Sequence, residues 1–327
     1  MTKPKPLASL SLDLDNLWSY MKTHADPGWE TFPSYLDLVV PRILNLLKER
    51  NLVITFFIVG QDAALEKNRL VLKSLAEAGH EIGHHSFNHE PWYHIYTEEQ
   101  VEAEIAHAEE SIENVTGYKP IGFRGPGFCV SQTVIDVLIR RGYLYDASTL
   151  PTYIGPLARL YYFMTARLKK EEKRLRDHLF GSLQDGFRPV KPYLWPQKRA
   201  RSHRQMVEIP VTTIPIFKIP FHVSYIIYIG SYSPALALLY FKFALGMCRL
   251  TGTQPSLLLH PLDFLGRDDI KELAFFPAMN LTKEEKLKLV SEVLRIYVSH
   301  FKVVTMQEHA REVLAAAGLT KASTEKI

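Results

Sequence analysis

The chain has 327 residues, 46% hydrophobic and 23% charged, a balance that excludes a disordered polypeptide and suffices for one α/β barrel. Its net charge of +4 is uneven: Leu157 to Arg204 holds 13 Lys/Arg against 4 Asp/Glu, a local +9 that leaves −5 elsewhere and points to an anionic partner. Cys129 and Cys248 are too few for a disulfide framework, which suggests a reducing compartment, and no apolar run reaches the ~20 residues of a spanning helix.

The N-terminal MTKPKPLASLSLDLD lacks an apolar core with a cleavage site, so no signal peptide is expected. Ala8 to Asp15 reads as a buried first strand. It ends in Asp13 and Asp15, whose i, i+2 spacing aims both carboxylates to one side. Such a pair needs a cation or a shared proton to relieve the repulsion. Pro33 to Arg50 has helical spacing, Asn51 to Gly60 is a buried strand, and Asn68 to Gly79 is a helix stopped by glycine. His80 to His84 is the third strand. It opens onto a loop with two H-x-x-x-H pairs out of phase, His80/His84 and His85/His89. Gly83 is expected to loosen the backbone at the strand end and Ser86 to cap the next turn, which puts the second pair in the loop. Alone, an H-x-x-x-H is more often a solvated turn than a metal site.

Thr97 to Gly117 is a long amphipathic helix with Thr97 and Gln100 as a capping box. Pro120 to Phe128 is a short strand running into a Gly-Pro-Gly turn. Ser131 to Gly142 is a helix with a glycine stop, and Tyr143 to Ser148 a strand carrying Asp146. After the basic stretch come a strand (Met206 to Ile214), a helix (Ser233 to Thr251, with Pro234 at its first position) and a buried strand with His260 (Pro255 to Asp263). Leu281 to His300 is a helix with a Thr282/Glu285 box, Lys302 to Met306 the last strand, and Gln307 to Ala317 the last helix.

Strand followed by helix, repeated seven or eight times, predicts a parallel barrel with helices outside and chemistry at the strand C-termini. Asp13, Asp15, His85, His89, Arg124, Asp146 and His260 all fall at such ends, and this shared position favours a metal site. One Asp with two His is the ligand set of a hydrolytic zinc centre. The other Asp is then free as a base, and His260 can protonate a leaving amine. N–H groups of the Gly125–Pro126–Gly127 turn can hold an oxyanion.

These residues resemble the polysaccharide deacetylases with a NodB-homology domain, carbohydrate esterase family 4. SLDLD resembles the first motif, implying Asp13 as base and Asp15 as metal ligand, with Leu14 between them as in a D-x-D subgroup. HSFNH resembles the H-[ST]-x-x-H motif and implies His85 and His89 as ligands. RGPG resembles the third motif: Arg124 holds the base, and Gly127 stands where the family has an aromatic residue while keeping the N–H donor. YDAS is similar to a fourth motif without its usual Trp and supplies Asp146. LLLHP resembles the fifth, with His260 as acid. The resemblance spans Leu7 to Ala317 apart from the insertion. It implies a distorted (β/α)7–8 barrel over residues 1–327, holding Zn²⁺ or another divalent ion such as Co²⁺, Mn²⁺ or Ni²⁺. The implied activity is removal of an acetyl or formyl group from an N-acylated sugar.

Residues 150–204 are expected to form a basic, aromatic insertion. Tyr161, Tyr162, Phe163 and Trp195 beside Lys/Arg suit either a lid or an element on an anionic membrane surface. No nucleic-acid module is present. Together these features predict a cytoplasmic enzyme, peripheral at the inner leaflet, acting on a soluble or lipid-linked sugar. The alternatives are a hydrolase of non-sugar amides and an inactive carbohydrate- or membrane-binding scaffold.

Overall fold

The computed structural model describes residues 4–155, 174, 183–196 and 205–319. At its centre is β1 (Leu7–Asp13), whose side chains before Asp13 are leucine, alanine or serine. Small and aliphatic residues on both faces suit a strand covered on both sides, as parallel strands are. β1 pairs in parallel with three strands: β2 (Thr55–Ile58), β8 (Ser256–Leu259) and, ahead of β2, β9 (Lys302–Val304). From β2 the sheet continues through β3 (Glu81–His84), β4 (Gly122–Phe123), β5 (Tyr145–Asp146) and β7 (Val207–Glu208). The edge strand β6 (Tyr193–Leu194) is antiparallel to β7.

The helices are α1 (Leu17–His24), α2 (Leu36–Glu49), α3 (Gly60–Ala64), α4 (Arg69–Glu77), α5 (Glu98–Thr116) and α6 (Gln132–Arg141) before the basic stretch. After it come α7 (Val223–Gly230), α8 (Pro234–Thr251), α9 (Lys283–His300) and α10 (Met306–Ala316). Both expected capping boxes form, Thr97 with Gln100 and Thr282 with Glu285. Gly142 ends α6 in the left-handed conformation at φ +85°, which a side chain would resist.

The expected α/β barrel is present in open form. Its strands are shorter than the apolar runs suggest, because the chain leaves each one early to build the loops at its C-terminal end. Of Met206 to Ile214, only β7 is strand. Beyond it Thr212 donates its N–H to the Ser256 carbonyl at 3.1 Å, and this bond joins the two sides of the barrel. The tryptophan expected at a membrane surface sits elsewhere: Trp195 is buried, its indole N–H donating to Glu208 at 3.1 Å. Tyr161, Tyr162 and Phe163 lie outside the described residues.

Gly83 does not loosen the strand. It pairs with Phe57 inside the β2–β3 ladder, where an added Cβ would stand 2.5 Å from the Phe57 ring. That ring in turn carries the Arg124 guanidinium 4.4 Å from its centroid. Gly83→Ala should therefore destabilise the protein by ~1–3 kcal/mol, the usual cost of overpacking. A denaturant midpoint equal to that of the wild type would contradict this packing role.

Helix α1 follows Asp15 directly and is anchored by a residue far along the chain. The Asp62 Oδ1 of α3 accepts from Asn16 Nδ2 at 2.7 Å, Trp18 Nε1 at 2.9 Å and Asn68 Nδ2 at 3.1 Å. Burial pushes the Asp62 carboxyl up to about 7, and its donors offset this only in part. A raised carboxyl stabilises the fold fully below its unfolded pKa and loses that contribution as pH rises through the folded one. Asp62→Asn keeps an acceptor oxygen and removes the titration. Its stability relative to wild type should climb between about pH 4 and about pH 7, by a few kcal/mol at ~1.4 kcal/mol per unit. Urea midpoints across that range test this, and a difference that stays constant with pH would refute it.

Candidate active site

The HSFNH loop leaves β3 with two residues in the left-handed region, Ser86 at φ +58° and His89 at φ +53°. Such backbone is costly for non-glycine residues and persists where surrounding bonds enforce it. Here Ser86 Oγ accepts the His89 N–H at 3.0 Å, the turn expected from the sequence. From outside, the Glu104 carboxylate of α5 accepts the N–H groups of Phe87 and Asn88 and the Asn88 side-chain amide, at 3.1, 2.7 and 2.7 Å. The loop thereby aims His85 and His89 at the end of β1.

The ambiguity between the two histidine pairs resolves in space. His84 is fully buried against Phe123 and Tyr143, and burial pushes its imidazole down to about 3. His80 Nδ1 takes the Ile54 N–H at 3.2 Å. His85 Nε2 and His89 Nε2 instead face Asp15 Oδ1 at 3.3 and 3.0 Å, and the donor atoms of the three residues lie within 4.8 Å of one another.

These residues fit a divalent cation. His85 Nδ1 lies 2.6 Å from the Arg124 carbonyl, an acceptor that fixes the proton on Nδ1 and leaves the Nε2 lone pair facing the cluster. Burial alone would raise the Asp15 carboxyl, but His89 and His85 hold it well below the ordinary range. Burial would lower His85, but Asp13 and Asp15 outweigh it and the net shift is upward. The pocket thus favours positive charge, as a cation site must.

Asp13 has a different environment from Asp15, two residues on. Arg124 Nη1 reaches Asp13 Oδ1 at 2.7 Å and Ser11 Oγ at 2.9 Å, and Arg124 Nε donates to the Ala147 carbonyl at 2.9 Å. Across the site His260 Nε2 stands 4.0 Å from Asp13 Oδ2. Behind that ring Ser224 Oγ donates to Asp263 Oδ1 at 2.7 Å and lies 3.1 Å from His260 Nδ1. With its hydrogen committed to Asp263, the hydroxyl is left to accept from Nδ1–H. Neither Ser224 nor Asp263 stood out in the sequence, since one lies on α7, 36 positions before His260, and the other in the turn after it.

Two of the expected residues sit differently. Asp146 is bound to Ser148 Oγ, and its charged neighbour is Glu208 rather than the Asp13–Arg124 pair. Burial raises both carboxyls, and Asp146 drives Glu208 further up. Ser148 Oγ also accepts the Gly125 N–H at 2.7 Å, so Asp146 acts on the RGPG turn through Ser148. This corrects the expectation of several free donors there. Gly125 is engaged, Pro126 has no N–H, and the Phe128 N–H goes to the Gly125 carbonyl, leaving Gly127 at φ +62° as the unengaged donor among the described bonds.

The sequence profile of the polysaccharide deacetylase family matches residues 23–145. A peptidoglycan deacetylase of Helicobacter pylori is 32% identical over 157 residues, 46% of this chain and 52% of that protein. A peptidoglycan-N-acetylglucosamine deacetylase of Bacillus cereus is 36% identical over 97 residues, 29% of this chain and 34% of the relative. The chain thus spans about half the length of the first relative and about a third of the second. Among solved structures, one described as a polysaccharide deacetylase from Mycobacterium smegmatis superposes with a TM-score of 0.63 at 22% identity, over 98% of this chain and 94% of that one. The Puue allantoinase superposes at 0.58 with 18% identity, over 96% and 91%. At these identities the structures speak to fold alone. The profile match over residues 23–145 and the partial relatives make this part of the chain similar to the polysaccharide deacetylases, and the shared barrel agrees with that likeness in fold.

Proposed function

We propose that the chain hydrolyses the amide of an N-acylated sugar, releasing acetate or formate. One observation carries the reading: carboxylates two residues apart on one strand end have separate environments, Asp15 facing two imidazoles and Asp13 paired with a guanidinium. A divalent cation held by Asp15, His85 and His89, with Zn²⁺ the first candidate, would supply a Lewis acid at the acyl carbonyl. Asp13, oriented by Arg124, takes a proton from the attacking water. His260 faces it from the other side and delivers a proton from Nε2 to the leaving nitrogen, while Ser224 and Asp263 support the charged ring. The Gly127 N–H is placed to donate to the developing oxyanion. Asp146 has a positioning role, through Ser148 and the turn.

The proposed substrate is presented at the cytoplasmic face of a membrane, as a lipid-linked sugar. Support comes from the +9 charge of residues 157–204, which follow β5 in the sequence, and from a cysteine content too low for a disulfide framework.

His89→Ala should strip the cation while leaving circular dichroism and the melting transition close to wild type. Full metal occupancy after dialysis of this variant would disprove the ligand assignment. Asp13→Asn and His260→Ala should each lower turnover ~10²- to 10⁴-fold, the usual weight of general acid–base catalysis, with metal content unchanged. Release of acetate or formate from N-acyl sugars, free and lipid-linked, is the assay for both the variants and the proposed activity. Wild-type turnover in Asp13→Asn would show that the base is elsewhere, and no release from any N-acyl sugar would reject the reading.

A further inference from the structure

Helix α8 buries one face and exposes another that is equally apolar. Ala237, Phe241, Ala244, Leu245 and Cys248 point into the core. On the outer side Leu236, Leu239, Phe243 and Leu250 follow one another at helical spacing, with Leu239 64% and Leu250 79% exposed. The turn before α7 extends this surface: Ile216 is 73% exposed, and the Phe217 ring stands 6.2 Å from that of Phe243. Tyr228 of α7 and Tyr232 just beyond it, 75% exposed, bring phenol groups to the margin. A monomer rarely leaves so many large apolar side chains together in water.

From Ile209 to Leu262 the sequence has no Asp or Glu, only Lys218, Lys242 and Arg249. Within this stretch the charges have one sign, while Glu292 of α9 lies near enough to Lys242 to feel its charge. Lys218 is held by the carbonyls of Gly186 and Arg188. Lys242 and Arg249 are exposed on α8, and Lys191 of the basic stretch lies beside Gly252 at the helix end.

We infer that the outer face of α8, with the Ile216–Ile219 turn, docks on an anionic lipid surface. A helix with lysine and arginine bordering bulky apolar side chains is built to lie in the headgroup region. By length and composition its 18 residues would suffice for a span, but with its inner face committed to the core the helix is placed to lie on the surface instead. A second copy of the chain fits poorly, since a two-fold contact would set Lys242 and Arg249 against their own copies, and Glu292, the carboxylate beside Lys242, is already paired with Arg295. The chain's own basic stretch would bring more charge of the same sign. Anionic headgroups supply the opposite charge, and acyl chains cover the apolar residues. The face is also tied to the chemistry, because α7 holds Ser224 against His260 and exposes Tyr228 one turn later. Docking therefore extends the proposed action on a lipid-linked sugar, while vesicle binding is measured without any turnover, so either idea can fail alone.

The test is flotation of the full chain with phosphatidylcholine vesicles, with and without phosphatidylglycerol, beside the double variant Leu239→Glu/Phe243→Glu. Both positions are exposed and outside the catalytic site, and a melting curve checks that the variant folds. Wild type should float with the anionic vesicles, weaken in high salt and stay largely free with neutral ones. The variant should lose tenfold or more in partitioning while its fold and light-scattering mass are unchanged. Absence of wild-type flotation would overturn the inference. So would equal binding by the variant, which would assign binding to the basic stretch alone. A wild-type dimer that the variant dissolves would give the face to a second copy and overturn it as well.

Discussion

The site depends on a guanidinium buried without a trace of exposed surface. Arg124 is fully enclosed, and taking such a charge out of water costs several kcal/mol unless partners replace the lost hydration. Asp13 provides the countercharge, Ser11 and the Ala147 carbonyl accept further hydrogens, and the Phe57 ring covers the flat face. The same residue's carbonyl orients His85, and its N–H binds the His84 carbonyl. A single position therefore aligns the proposed base and one proposed cation ligand. Through Phe57 it also explains why the neighbouring strand requires glycine at position 83.

Much of this was legible because it is local. Asp13 ends β1 with Asp15 just beyond it, and His85, Arg124 and His260 each directly follow the last residue of a strand. The capping boxes at Thr97 and Thr282 advertise their helices within four residues. What stayed hidden rests on partners distant in sequence. Asp62 reaches Asn16 across 46 positions, and Glu208 reaches Thr149 across 59. α1 and α7 are each eight residues long, and of the two only α1 has a local signal, the Asn16 cap. The Gly125–Pro126–Gly127 turn looked richer in donors than it is because Ser148, which takes one of them, belongs to the next strand's exit.

The carboxyl pair of Asp146 and Glu208 shows how a buried polar cluster can join parts of a fold. Glu208 accepts the Thr149 N–H and the Trp195 indole N–H, so the strand after the basic stretch, the exit of β5 and the return of that stretch meet at one group. Its neighbour Asp146 holds Ser148, and Ser148 holds the turn that carries Gly127. Truncating either carboxyl would leave buried donors unmatched, the costly direction for such a cluster.

The clamp of Glu104 on the HSFNH loop bears on how the site meets an ion. Three N–H groups of the loop are already satisfied by α5, and Ser86 closes the remaining turn, with no cation required for any of these bonds. The conformational entropy of ordering these residues is thus lost during folding rather than at capture. In small zinc modules the metal itself organises an otherwise unstructured chain. Here the imidazoles stand on a rigid template, so under the proposed ligand assignment candidate ions would compete by how well their radius and preferred geometry match a spacing that protein contacts alone have set.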